Sequence, residues 1–187
     1  MARVYLIRHG KPHSTWGGGD LDPGLDETGR VQAEQAAEAL LSLSEPPTRV
    51  ISSPLARCRE TAEPFARALG AEVEIDPAVG EVPTPASVPH EDRAAWLQTA
   101  FGGTWSEIEG DLDYEAWRGD VARALASYAG CAVFSHYVAI NAAVSLATGD
   151  QRVAAFRPDH CSITVLEVRD DGLILIAKGR EAATKVL

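Results

Sequence analysis

The sequence predicts a three-layer α/β/α domain with a mainly parallel central sheet. Two observations carry this. Short, continuous apolar runs, the pattern of strands buried on both faces, alternate with longer segments whose apolar residues recur at helical spacing. Glycine, proline and small polar residues mark the boundaries between them. At 187 residues, 45% hydrophobic and 24% charged, the chain fits one ordinary folded domain over residues 1–187.

The run 4–7 is the first buried strand, and it ends at Arg8-His9-Gly10. The glycine run Gly17-Gly18-Gly19 predicts a loop. Residues 28–43 are rich in alanine, with apolar residues at helical spacing, and stop before Pro46-Pro47, which predicts a helix. A short strand follows at 49–52. Ser53-Pro54 then opens a helix to Leu69, with Gly70 as its stop signal. Residues 73–75 form a third short strand. Pro83, Pro85 and Pro89 forbid regular structure over 81–89, so this is a loop. Helices are expected at 91–101 and 114–128, with Gly102-Gly103 and the acidic stretch 107–113 exposed between them. The strand 131–135 runs straight into His136, and a helix covers 139–147. A closing hairpin pairs 162–168 with 173–177 through Asp170-Asp171-Gly172.

Seventeen Lys and Arg against 27 Asp and Glu give a formal charge of −10, a field that repels nucleic acid and anionic membrane. Neither is an expected partner. An anionic substrate would then need local positive charge, which makes clustered arginines worth following. Cys58, Cys131 and Cys161 have no CxxC spacing, so buried reduced thiols are expected rather than disulfides or a zinc site. The four-residue apolar run before Arg8 is too short for a signal-peptide core, which makes the cytoplasm the expected compartment. His13, His90 and His160 lack the spacing of a helical metal pair, and they are expected to be ordinary loop histidines. Trp96 and Trp105 are expected to pack in the core.

Ligands of open α/β sheets bind beyond the carboxyl ends of the strands, and Arg8-His9-Gly10, Ser52-Ser53-Pro54 and Ser135-His136 all fall at such ends. The helix after Pro54 adds free N–H groups and a positive dipole end, which suit phosphate.

These segments resemble the signatures of the histidine phosphatase (phosphoglycerate mutase-like) superfamily. Leu6-Ile7-Arg8-His9-Gly10 resembles its first motif, and Ser52-Ser53-Pro54-Leu55-Ala56-Arg57, continued by Arg59-Glu60-Thr61-Ala62, its second. The stretch 25–33 resembles the lead into the family's first helix. Phe134-Ser135-His136 resembles the strand end that bears its second histidine.

The resemblance implies the histidine phosphatase fold and hydrolysis of phosphomonoesters of a small metabolite, without metal or cofactor. His9 would be the nucleophile, forming a phosphohistidine. Arg8, Arg57 and His136 would bind the non-bridging phosphate oxygens. The proton donor to the leaving group would be a loop carboxylic acid, for which Glu81 matches best, with Glu91 and Asp92 as alternatives. Lys11, Pro12 and Tyr137 depart from the family pattern. Lys11 would add a cation to the first-motif loop, and Tyr137 stands where glycine is usual, so both are possible substrate-binding residues. Mutase-like phosphoryl transfer, phosphohistidine-protein phosphatase activity and non-catalytic phospholigand binding are the alternatives. Hydrolysis is favoured over mutase chemistry because the segment between Glu81 and Cys131 is short. Oligomeric state is not legible in the sequence.

Overall fold

The computed structural model describes residues 2–14 and 20–183, so the expected loop at Gly17-Gly18-Gly19 lies outside the described residues. Among these residues six strands, β1 (Arg3–Arg8), β2 (Arg49–Ser52), β3 (Val73–Ile75), β4 (Cys131–Ser135), β5 (Ile163–Arg169) and β6 (Gly172–Ala177), form one sheet in the order β3-β2-β4-β1-β5-β6. β1, β2, β3 and β4 pair in parallel, whereas β5 runs antiparallel to β1 and β6 antiparallel to β5. Among the described residues five α-helices, α1 (Glu27–Leu41), α2 (Ala56–Leu69), α3 (Arg93–Phe101), α4 (Tyr114–Ala126) and α5 (Tyr137–Thr148), complete the layers. The three-layer α/β/α architecture is the one the alternating pattern predicts.

Strand periodicity explains why the apolar runs are continuous. Tyr5 and Ile7 of β1, Val50 of β2 and Ala132 and Phe134 of β4 face a core closed by Ala36, Ala37 and Leu40 of α1 and by Cys58, Ala62, Phe65 and Ala66 of α2. Their neighbours Val4, Leu6, Ile51 and Val133 face the opposite core, closed by α3, α4 and α5. Each fully buried Leu, Ile or Val side chain contributes about 1.5–3 kcal/mol, so neither face tolerates a polar substitution. Trp105 lies in the second core, and Trp96 packs partly buried against it.

Helix ends follow local chemistry. Asp26 caps α1 by accepting from Gly29 N at 2.7 Å. α2 stops at Gly70, which takes a left-handed φ of 65°. α2 starts at Ala56 rather than at Ser53-Pro54, because Leu55 remains extended. The helix expected over 91–101 is split: His90–Asp92 make a 3-10 turn, and α3 begins at Arg93. No helix among the described residues is long and apolar enough to cross a membrane.

Candidate active site

β4 lies between β1 and β2, with Arg8 in register with Ser135 and Ser52 with Phe134. The three polar strand ends therefore emerge side by side. His9 N donates to Ser135 O at 3.0 Å, and Ser53 N donates to Phe134 O at 3.0 Å. The His9 and His136 ring centroids are 5.3 Å apart, and both side chains are buried. A close backbone approach holds the first loop: a Cβ on Gly10 would stand 2.7 Å from Gly29 O, and one on Gly29 2.2 Å from Lys11 O. Gly10 N donates to Thr61 Oγ1 at 2.9 Å, which ties this loop to α2.

The hydrogen bonds assign both imidazole tautomers. His9 Nδ1 is 2.8 Å from Gly10 O, which only accepts, so Nδ1 carries the proton and Nε2 is left with its lone pair. Arg57 Nη2 is 3.2 Å from His136 Nδ1, and a guanidinium only donates, so that nitrogen accepts. His136 Nε2 then donates to Ser53 Oγ at 2.8 Å. Burial, with help from Arg57, holds both imidazoles well below the ordinary histidine pKa.

Cations dominate the surroundings. Arg8 donates to Pro158 O at 2.9 Å and lies 5.3 Å from the centre of the Tyr137 ring. Burial lowers its pKa to about 10, so it stays charged at neutral pH. Arg8 Nε and Arg57 Nε are buried donors without a hydrogen-bond partner among the described residues. Buried donors seldom remain unpaired, and an oxyanion would satisfy both. Arg93, at the start of α3, donates to Val82 O at 3.1 Å. Against these guanidiniums stands the buried carboxyl of Glu81, whose Oε2 is 3.7 Å from His136 Nδ1. Oε1 accepts from Val82 N at 3.0 Å, while Oε2 has no hydrogen-bond partner among the described residues. Burial raises the Glu81 pKa, although Arg57 and Arg93 oppose the shift. A cavity of about 410 Å³ opens here, lined by Arg57, Glu81, His90 and Arg93 and by apolar groups such as Leu21 and Pro83.

The structure thus brings together Arg8, His9, Arg57, Glu81 and His136. It does not bring Lys11 to them, since its ammonium pairs with Asp26 at 2.9 Å. Tyr137 meets the site through Arg8, whose guanidinium lies against its ring, and otherwise packs against Phe101 and lines a different cavity, with Phe156 and Arg157. Glu91 and Asp92 are exposed, unlike Glu81. Sequence reasoning missed the placement of three groups. Ser53 holds His136, Arg93 reaches the cavity wall, and His160 sits with its ring centroid 5.8 Å from that of His9. Only Ser53 carried a signal, since it belongs to the second motif. Among the described residues no group of three or more His, Cys, Asp or Glu side chains is arranged to hold a metal ion.

The fold agrees with comparison to known proteins. The model of the histidine phosphatase superfamily (branch 1) matches residues 4–179, and the chain belongs to that superfamily. A probable phosphoglycerate mutase of Enterobacter sp. (strain 638) is 28% identical over 91% of this chain and 86% of its own length. One from Photorhabdus laumondii is 39% identical over 44% of this chain and 39% of its own. The chain spans less than half the length of the first curated relatives of this partial kind. Among solved structures, a mycobacterial glucosyl-3-phosphoglycerate phosphatase superposes with TM-score 0.67 at 26% identity, covering 88% of this chain and 89% of that one. A phosphoserine phosphatase from Entamoeba histolytica, in complex with 3-phosphoglyceric acid, shares the fold at TM-score 0.75 and 20% identity, covering 96% of this chain and 98% of that one.

Proposed function

We propose that this protein hydrolyses a phosphomonoester of a small metabolite through a phosphohistidine on His9. The observation that carries this is the 2.8 Å contact between His9 Nδ1 and Gly10 O, which leaves Nε2 unprotonated beside buried guanidiniums. Nε2 attacks phosphorus, the P–O bond to the leaving group breaks, and the phosphoryl group rests on the imidazole. Arg8 and Arg57 donate to the non-bridging oxygens through nitrogens that otherwise lack partners. His136, expected to bind the phosphate oxygens itself, has both ring nitrogens engaged by Arg57 and Ser53, and its part is to hold Arg57 in position.

The departing alkoxide takes the proton of Glu81, whose buried carboxyl stays protonated to higher pH than an exposed one. Glu81, then ionised, deprotonates the water that attacks the phosphohistidine, and the cycle closes with His9 neutral and Glu81 protonated. None of these steps calls for a metal or cofactor. The cavity has room for a metabolite-sized leaving group. The relatives named above act on phosphorylated small molecules, which supports the substrate class. We favour hydrolysis over mutase transfer because a mutase must shield its phosphoenzyme from water, and the segment between Glu81 and Cys131 is short for a cover. Free Cys58, Cys131 and Cys161 suit a reducing compartment, and we place the protein in the cytoplasm.

The test is hydrolysis of an aryl phosphate with chelator present, together with trapping of acid-labile phosphate on the protein. His9→Ala abolishes both if the reading is right. Undiminished turnover in that variant would refute the mechanism.

A further inference from the structure

The loop entering β5 is bound to Arg8 from several sides. Arg8 N donates to Ser162 O at 3.3 Å, Cys161 N donates to Arg8 O at 3.0 Å, and Arg8 Nη1 donates to Pro158 O at 2.9 Å. Asp159 accepts from His160 N at 2.8 Å and from Arg180 Nε at 2.9 Å. Arg180 Nη2 also reaches His160 O at 3.4 Å. Cys161 has φ 54°, a left-handed conformation uncommon in residues with a side chain. Such a conformation persists where its surroundings over-determine it. The loop is held in one shape, and that shape sets the His160 ring against the His9 ring at 5.8 Å, tilted by 52°.

We propose that His160 is a third histidine of the phosphate site: neutral in the free protein, it takes a proton from solvent when a phosphate dianion or phosphorylated His9 stands beside it. It thereby becomes an added cation on the phosphoryl group. This rests on the phosphate reading of the site given above.

The charged neighbours fix the sign. Burial and Arg8 push the free imidazole down to about 4, Asp159 and the more distant Asp26 oppose this, and Lys11 adds to it. His9 is neutral, and the Arg180 guanidinium is engaged by Asp159 and the His160 carbonyl. Proximity of an anion favours the imidazolium. One unit of negative charge about 6 Å away, at an effective dielectric of about 20, raises the pKa by about two pH units.

The experiment is a histidine side-chain NMR titration of the intact protein with and without saturating inorganic phosphate, the His160 signal being assigned with His160→Asn. Phosphate is expected to raise the His160 pKa by about two units or more. The ratio of phosphate affinities, wild type over His160→Asn, is expected to grow at least about tenfold from pH 8 to pH 5, because only wild type takes up the extra proton. A merely structural role gives a ratio that does not change with pH. If phosphate moves the His9 and His136 signals while His160 keeps its pKa, or if the ratio stays flat, the third-histidine proposal is overturned and the phosphate site stands. If phosphate moves none of the three, both fall.

Discussion

Arg57 and His136 are joined by a 3.2 Å hydrogen bond that runs from the first turn of α2 to the residue just beyond β4. The donor can only be the guanidinium, so one contact fixes the His136 tautomer, turns its Nε2–H toward Ser53 and restrains Arg57 beside Glu81. Replacing Arg57 therefore removes a cation and releases a histidine. Arg57→Ala is expected to lower kcat/KM for an aryl phosphate by about 10²–10³, the usual loss for one transition-state donor. Arg57→Lys is expected to recover little, because a point charge replaces a planar fork. Steady-state kinetics on both variants check this, and full activity in Arg57→Lys would count against the geometry.

Glu81 carries a different prediction because its Oε2 is buried and lacks a hydrogen-bond partner among the described residues. An acid is needed in proportion to the basicity of the leaving group. Glu81→Gln is expected to slow an alkyl phosphate about tenfold more than p-nitrophenyl phosphate. Equal losses on the two substrates would exclude proton donation.

Thr61 links the first motif to the second. It accepts from Gly10 N at 2.9 Å and donates to Arg57 O at 2.6 Å. Thr61→Val keeps the shape and strands the buried Gly10 N–H, at an expected cost of about 1–3 kcal/mol. Urea unfolding measures that loss, and aryl phosphate turnover should fall with it as the His9 loop loses its tether. A variant as stable as wild type would show that another acceptor replaces the hydroxyl.

Stability should depend on pH through the same histidines. His9 and His136 titrate well below 6.5 in the folded protein and His160 at about 4, whereas in the unfolded chain all three titrate near 6.5. Below pH 6.5 the unfolded state therefore binds more protons. Stability is full above that pH and falls as pH drops, by about 1.4 kcal/mol per pH unit for each group until its folded pKa is reached. Glu81 runs the other way. Its folded pKa is raised, so its contribution is present below 4.5 and lost as pH rises through the folded value. The histidines outnumber it, and thermal unfolding at pH 7.5, 6 and 5 should show a steep fall toward acid. A flat profile would contradict burial of neutral imidazoles.

The short apolar runs and the residues that end them were sufficient to locate β1, β2 and β4, to predict a three-layer fold, and to place Arg8, His9 and His136 at one edge of a sheet, while the family resemblance alone pointed to Arg57. That inference is local: a strand buried on both faces must read as a continuous apolar run, and parallel strands share one carboxyl edge. Side-chain partners are not local. Lys11 looked free to meet phosphate until the fold brought it against Asp26, and Tyr137 lies at the start of α5 with its ring against Phe101. His160 is the clearest case. Its loop reaches His9 because β5 runs antiparallel to β1, with Ile163 paired to Ile7, so the amino end of one strand meets the carboxyl end of the other. The order β4-β1-β5 is set by how all the helices and strands close their two cores together, and no short stretch of sequence encodes it. The sequence alone therefore singled out the residues proposed to carry phosphate chemistry, and the tertiary structure decided which neighbours, His160 and Arg93 among them, share their electric field.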